Sequence, residues 1–111
     1  MNFENDIRKK IEQSDFAQNN GRILRTINIL SGKFVNVSSV CDALYEYMNI
    51  GEFDESLIYL YKSCYIELRT EYTHKIIDDF TKYSYKEMEV SLTQKGIKLA
   101  RGFITDEAVE I

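Results

Sequence analysis

The sequence predicts a mainly α domain carrying a small antiparallel β-hairpin, an α+β fold. Three observations predict it. Apolar residues recur at helical spacing up to Ser63, the period drops to two over Ile66–Tyr72 and Glu87–Leu92, and a helical pattern returns after Thr93. At 111 residues, 44% hydrophobic and 29% charged, the chain is long enough for one core and too short for two. No repeat, linker or low-complexity tract divides it, so residues 1–111 are read as a single domain.

Residues 1–18 are expected to hold an N-terminal amphipathic helix, with Phe3, Ile7 and Ile11 on one face and Glu4, Arg8, Lys9 and Glu12 on others. Asn19-Asn20-Gly21 then reads as a break. A second helix follows over Arg22–Leu30, its stripe formed by Ile23, Leu24, Ile27 and Leu30, with Ser31-Gly32 as its terminator. Val35-Asn36-Val37 is too short and alternating for a helix. Ser38 suits the N-cap of a third helix that buries Val40, Leu44 and either Tyr47 or Met48. After a turn at Asn49-Ile50-Gly51, a fourth helix runs from about Glu52 to Ser63, with Phe53, Leu57, Leu60 and Tyr61 inward.

Two half-buried strands come next. Ile66, Leu68 and Tyr72 alternate with Glu67, Arg69 and Glu71, and Met88, Val90 and Leu92 alternate with Glu87, Glu89 and Ser91. An antiparallel hairpin joined by the long loop 73–86 is the simplest account, that loop being either mobile or structured on its own. Thr93 caps a last helix to about Arg101, burying Ile97 and Leu99 or Ala100. Residues 103–111 read as a partly ordered tail.

Fourteen Lys and Arg against eighteen Asp and Glu leave a net charge of −4, which argues against a general polyanion binder. The longest apolar run, Leu57–Tyr61, is too short to span a membrane. The N-terminus is charged where a secretory signal is apolar, and Cys41 and Cys64 make no disulfide framework; a cytoplasmic setting is expected. One histidine, His74, leaves a zinc site without ligands, and the scattered glycines form no phosphate loop. No cofactor and no enzymatic role are expected, and both cysteines read as small buried hydrophobes.

Phe53–Ile66, with its Leu57/Leu60 pair, a turn and an aromatic–aliphatic lead into the first strand, resembles the recognition-helix segment of the winged helix-turn-helix family. Leu92-Thr93-Gln94-Lys95-Gly96-Ile97-Lys98-Leu99 is similar to the strand-to-helix junction after that family's second wing strand. The resemblance covers residues 21–102, with 73–86 as the wing loop and extra N-terminal and C-terminal helical segments outside it. One departure is Cys64, where the family's turn usually carries Gly. The family includes PadR-like and MarR-like repressors, and no motif assigns the chain to either.

The resemblance implies a DNA-binding transcriptional regulator. It places Ser56, Tyr59 and Lys62 toward the major groove, with Ser38 at the start of the preceding helix as a further contact. Lys75, Lys82 and Lys86, interleaved with Tyr83 and Tyr85, would meet phosphates from the wing, Asp78 and Asp79 leaving the loop a net charge of +1, and Arg22, Arg25 and Lys33 would add to them. Residues 32–63 nevertheless hold two cations against five acids. The alternative is therefore a protein–protein interaction module that uses its acidic recognition helix and binds no DNA. Phe3, Ile7, Ile11, Phe103 and Ile104 lie outside the core outline and are candidates for a homodimer interface.

Overall fold

The computed structural model describes residues 2–30 and 33–111. In chain order, the elements among them are α1 (Phe3–Leu30), β1 (Val35–Asn36), α2 (Val37–Leu44), α3 (Ile50–Lys62), β2 (Ile66–Thr70), β3 (Met88–Leu92) and α4 (Gln94–Ala100). The class is mainly helical with a small antiparallel sheet. The expected hairpin is present, with Leu68 opposite Val90 and Ile66 opposite Leu92. A third strand joins it. β1 pairs Val35 with Val90, so the strand order is β1-β3-β2 with β3 in the middle.

The first correction concerns α1, which is one helix of 28 residues that passes straight through Asn19-Asn20-Gly21. The reason is tertiary. Asn20 Nδ2 donates to Ala108 O at 2.8 Å, and Glu110 N donates to Ala17 O at 3.0 Å. A Cβ at Gly21 would sit 1.7 Å from Glu110 O, so only glycine lets the C-terminal strap approach. The triplet is a docking strip inside a helix. Residues 103–111 are accordingly an ordered strap, with Val109 buried and bridged to Asp106. The expected terminator Ser31-Gly32 lies outside the described residues.

Local caps shift two other boundaries. Asn36, rather than Ser38, caps α2, its side chain accepting from the Ser38 N–H at 2.8 Å. α3 starts at Ile50 because Asn49 and Glu52 form a reciprocal capping box, at 2.8 and 3.0 Å. Thr93 caps α4 as expected.

The core gathers Ile23, Leu24 and Ile27 from α1, Leu57 and Leu60 from α3, and Leu68 and Val90 from the sheet, all fully buried. Each contributes about 1.5–3 kcal/mol by leaving water. Met48 is the inward residue after α2, and Leu99 the inward one of α4. Leu30, Tyr72 and Ile97 are exposed, against expectation, while Tyr61 and Leu92 are half-buried. The loop 73–86 is structured. Ile77 N donates to Leu68 O at 2.9 Å, Arg69 and Ile76 form a bridge, and short 3-10 turns at Phe80–Lys82 and Tyr85–Glu87 lead into β3. Ile77 and Phe80 are buried while Ile76 is exposed.

Candidate nucleic-acid interface

α3 buries Phe53, Ser56, Leu57 and Leu60, which fixes what its remaining faces can present. Ser56 is fully buried, and its Oγ has no hydrogen-bond partner among the described residues. It therefore cannot reach a groove, correcting the expectation for that residue. Tyr59 faces α1 and the strap. Its ring meets Phe16 edge-on at 5.3 Å, and its hydroxyl donates to Asp106 Oδ2 at 2.7 Å. Lys62, in the last turn, is exposed as a contact requires.

The wing tyrosines are similarly committed. Tyr85 stacks edge-on with Phe53 at 5.4 Å and donates its hydroxyl to Asp54 Oδ1 at 2.7 Å. Burial raises its pKa, and the Asp54 hydrogen bond and charge raise it further, so the hydroxyl stays protonated as the donor. Tyr83 is half-buried against the core. From α3, Tyr61 donates to Ile77 O at 2.8 Å and packs on Phe80. These contacts pin the loop to α3 and leave Lys75, Lys82 and Lys86 exposed along it. Ser38 is half-buried in the first turn of α2, its backbone N–H held by Asn36.

Three features had no signal in the sequence. Arg69 lies over the Phe34 ring at 3.8 Å and pairs with Glu89 at 2.9 Å, knitting β2 to β3. Arg25 Nη1 donates to Glu110 O at 2.7 Å, and Arg22 reaches Asn19 and the Tyr47 ring, so both arginines serve the fold. Asp106 receives hydroxyls from Tyr59 and Tyr65, both at 2.7 Å. Burial alone would raise its pKa. The Tyr65, Ala108 and Tyr59 hydrogen bonds and the nearby Lys95 charge outweigh that and hold it below the usual carboxylate range.

The electrostatics are uneven. Asp42, Glu46 and Glu55 are exposed on α2, the turn after it and α3, and Glu52 and Asp54 are half-exposed beside them. A cleft of about 320 Å³ between α1 and α3 is lined by Glu12, Asp15, Glu52 and Glu55. Cations face outward at Lys62 and along the loop 73–86, where Lys75, Lys82 and Lys86 share the surface with exposed Asp78 and Asp79. Cys64 is exposed and Cys41 half-buried, so the expectation of two buried thiols is corrected. Burial, with a smaller contribution from Asp42, raises the Cys41 thiol pKa, the opposite of an activated nucleophile. Phe3, Ile7, Ile11 and Phe103 are exposed, and Ile104 packs partly on the core. Among the described residues no helix is long and apolar enough to cross a membrane. Compared with protein-family models, with curated proteins and with solved structures, the chain matches none.

Proposed function

We propose that the protein is a winged helix-turn-helix DNA-binding regulator that acts without catalysis, with β2–β3 and the loop 73–86 as its wing. The observation that carries the reading is the wing itself. A hairpin fastened to α3 by Tyr85–Asp54 and Tyr61–Ile77 holds three exposed lysines in a fixed relation to that helix. A rigid element loses little conformational entropy on meeting phosphates, so Lys75, Lys82 and Lys86, which outnumber Asp78 and Asp79 in the loop by one, convert efficiently into affinity. The element order α1-β1-α2-α3-β2-β3, with β1 closing the sheet onto the hairpin, also supports the architecture. In this reading Lys62 lies nearest the bases, and Lys75, Lys82 and Lys86 set the register along the backbone.

The test is binding to mixed double-stranded DNA across a salt series. Lys82→Glu with Lys86→Glu should weaken binding and lower the slope of log K against log salt by about 2, near one unit per lost phosphate contact. An unchanged slope removes the wing from the interface. A second reading is favoured by the carboxylates of α2 and α3, which suit a basic protein surface better than a phosphate backbone. Absence of DNA binding at low salt would select it. Glu52→Lys with Glu55→Lys would then abolish partner capture.

A further inference from the structure

We propose that the cleft between α1 and α3 binds a linear aliphatic polyamine, a flexible chain carrying several ammonium groups. The inference stands independently of whether DNA is bound.

The walls of the cleft carry like charge. Glu12 and Asp15 stand three residues apart on α1, and Glu52 and Glu55 three apart on α3, so each pair shares a face of its helix. All four line one space of about 320 Å³, with Phe16, Asn19 and Ser56 completing the lining among the described residues. Carboxylates gathered around one cleft repel each other unless a cation lies between them. None of the four has an ion-pair partner among the described residues. The cation beside the lining, Arg22, bonds Asn19 Oδ1 at 3.4 Å and lies over the Tyr47 ring at 5.1 Å. Glu52 accepts the Asn49 N–H through one carboxylate oxygen at 3.0 Å and keeps the other.

The lining also holds an unmet hydroxyl. Ser56 is fully buried, and its Oγ has no hydrogen-bond partner among the described residues. A buried polar atom in that state calls for a bound group to pair with it. An ammonium suits it. With three N–H donors and no acceptor, one terminus can donate to Ser56 Oγ and to carboxylates of both walls at once. Because that oxygen is closed to solvent, seating the ammonium takes a side-chain rotation, which exposed Glu12 and Glu55 can make. Half-buried Phe16 offers an apolar surface for the methylenes and a ring for the charge.

The spread of the acids selects an extended cation over a compact one. Among the described residues no three acidic, histidine or cysteine side chains come close enough together to hold a metal ion. Charge distributed along two walls is matched by charge distributed along the ligand, and a linear polyamine carries it at intervals of several methylenes. The space is at the lower end of the range for small-molecule sites, which begins at about 300 Å³.

The experiment is calorimetric titration of the intact protein with spermidine at about 0.15 M salt, where exposed charges are screened. Saturable binding about tenfold tighter than that of n-butylamine or Mg²⁺ supports the proposal. Equal affinity for Mg²⁺ would mean a diffuse ion atmosphere and overturn it. Glu12→Gln with Glu55→Gln, one exposed carboxylate from each wall, should weaken binding about tenfold. Glu67→Gln with Asp78→Asn removes the same charge from exposed positions outside the cleft and should leave binding unchanged; an equal loss would overturn the cleft as the site. Ser56→Ala should also weaken binding about tenfold, with its urea midpoint kept or raised. Binding indifferent to that change would confine the amine to the exposed carboxylates and overturn the proposal. Capture of a lysine-rich peptide without binding of spermidine would assign the carboxylates to a protein partner and overturn it too.

Discussion

Cys64 and Ser56 are single residues at odds with their surroundings. Cys64 holds φ at 64°, the left-handed conformation, in the tight turn between α3 and β2. A side chain there costs about 1 kcal/mol relative to glycine. Cys64→Gly should therefore raise the urea midpoint by an amount equivalent to about 1 kcal/mol, with the slope unchanged. A β-branched Cys64→Val should lower it. Ser56 buries a hydroxyl between α1 and α3 that has no partner among the described residues. Removing that unmet polar group makes Ser56→Ala neutral or stabilising by up to about 1 kcal/mol. DNA affinity should be untouched. An affinity loss without a stability change would mean that the serine reaches the groove after all.

At the scale of elements, the strap and α1 depend on each other. Gly21→Ala would drive a methyl group into Glu110 O, so the strap must lift and expose Val109. A cost of about 1–3 kcal/mol is expected, together with faster proteolytic trimming at the C-terminus, read by mass spectrometry. Asp106 adds a pH dependence. Its folded pKa lies below its unfolded value of about 3.9, so its contribution is fully present above about pH 4 and disappears as pH falls further. Asp106→Asn should be less stable at neutral pH and should lose less on acidification, as measured by denaturant titrations from pH 7 to pH 3. Equal acid losses in both proteins would mean that the tyrosine clasp does not hold the strap.

Across the whole molecule, acids gather on α2, α3 and the α1–α3 cleft, while the loop 73–86 carries a small excess of lysine, three against Asp78 and Asp79. That local excess, not the net charge of −4, is what a phosphate backbone would meet.

Periodicity and one cap residue located the helical stripes of Ile23/Leu24/Ile27 and Phe53/Leu57/Leu60, the hairpin at Leu68 and Val90 and the start of α4 at Thr93, but neither β1 nor the continuity of α1. Those features rest on contacts between residues near in sequence, or on alternation that any half-buried strand must show. What misled was local chemistry with a distant partner. Asn19-Asn20-Gly21 has the composition of a turn, yet it is helical because Ala108 and Glu110, nearly ninety residues on, supply the partners that make asparagine and glycine useful there. The candidate interface divides the same way. Lysines stay where sequence places them, on the surface, because a charged amine is costly to bury. Ser56, Tyr59 and Tyr85 were reassigned by tertiary structure, since a hydroxyl serves equally well toward a groove or toward a carboxylate across the fold. The exposed stripe of Phe3, Ile7 and Ile11 on α1 was visible from sequence as spacing. Only the three-dimensional fold decided that its own domain leaves it uncovered, because the phase of a helix is set by what packs on its other end.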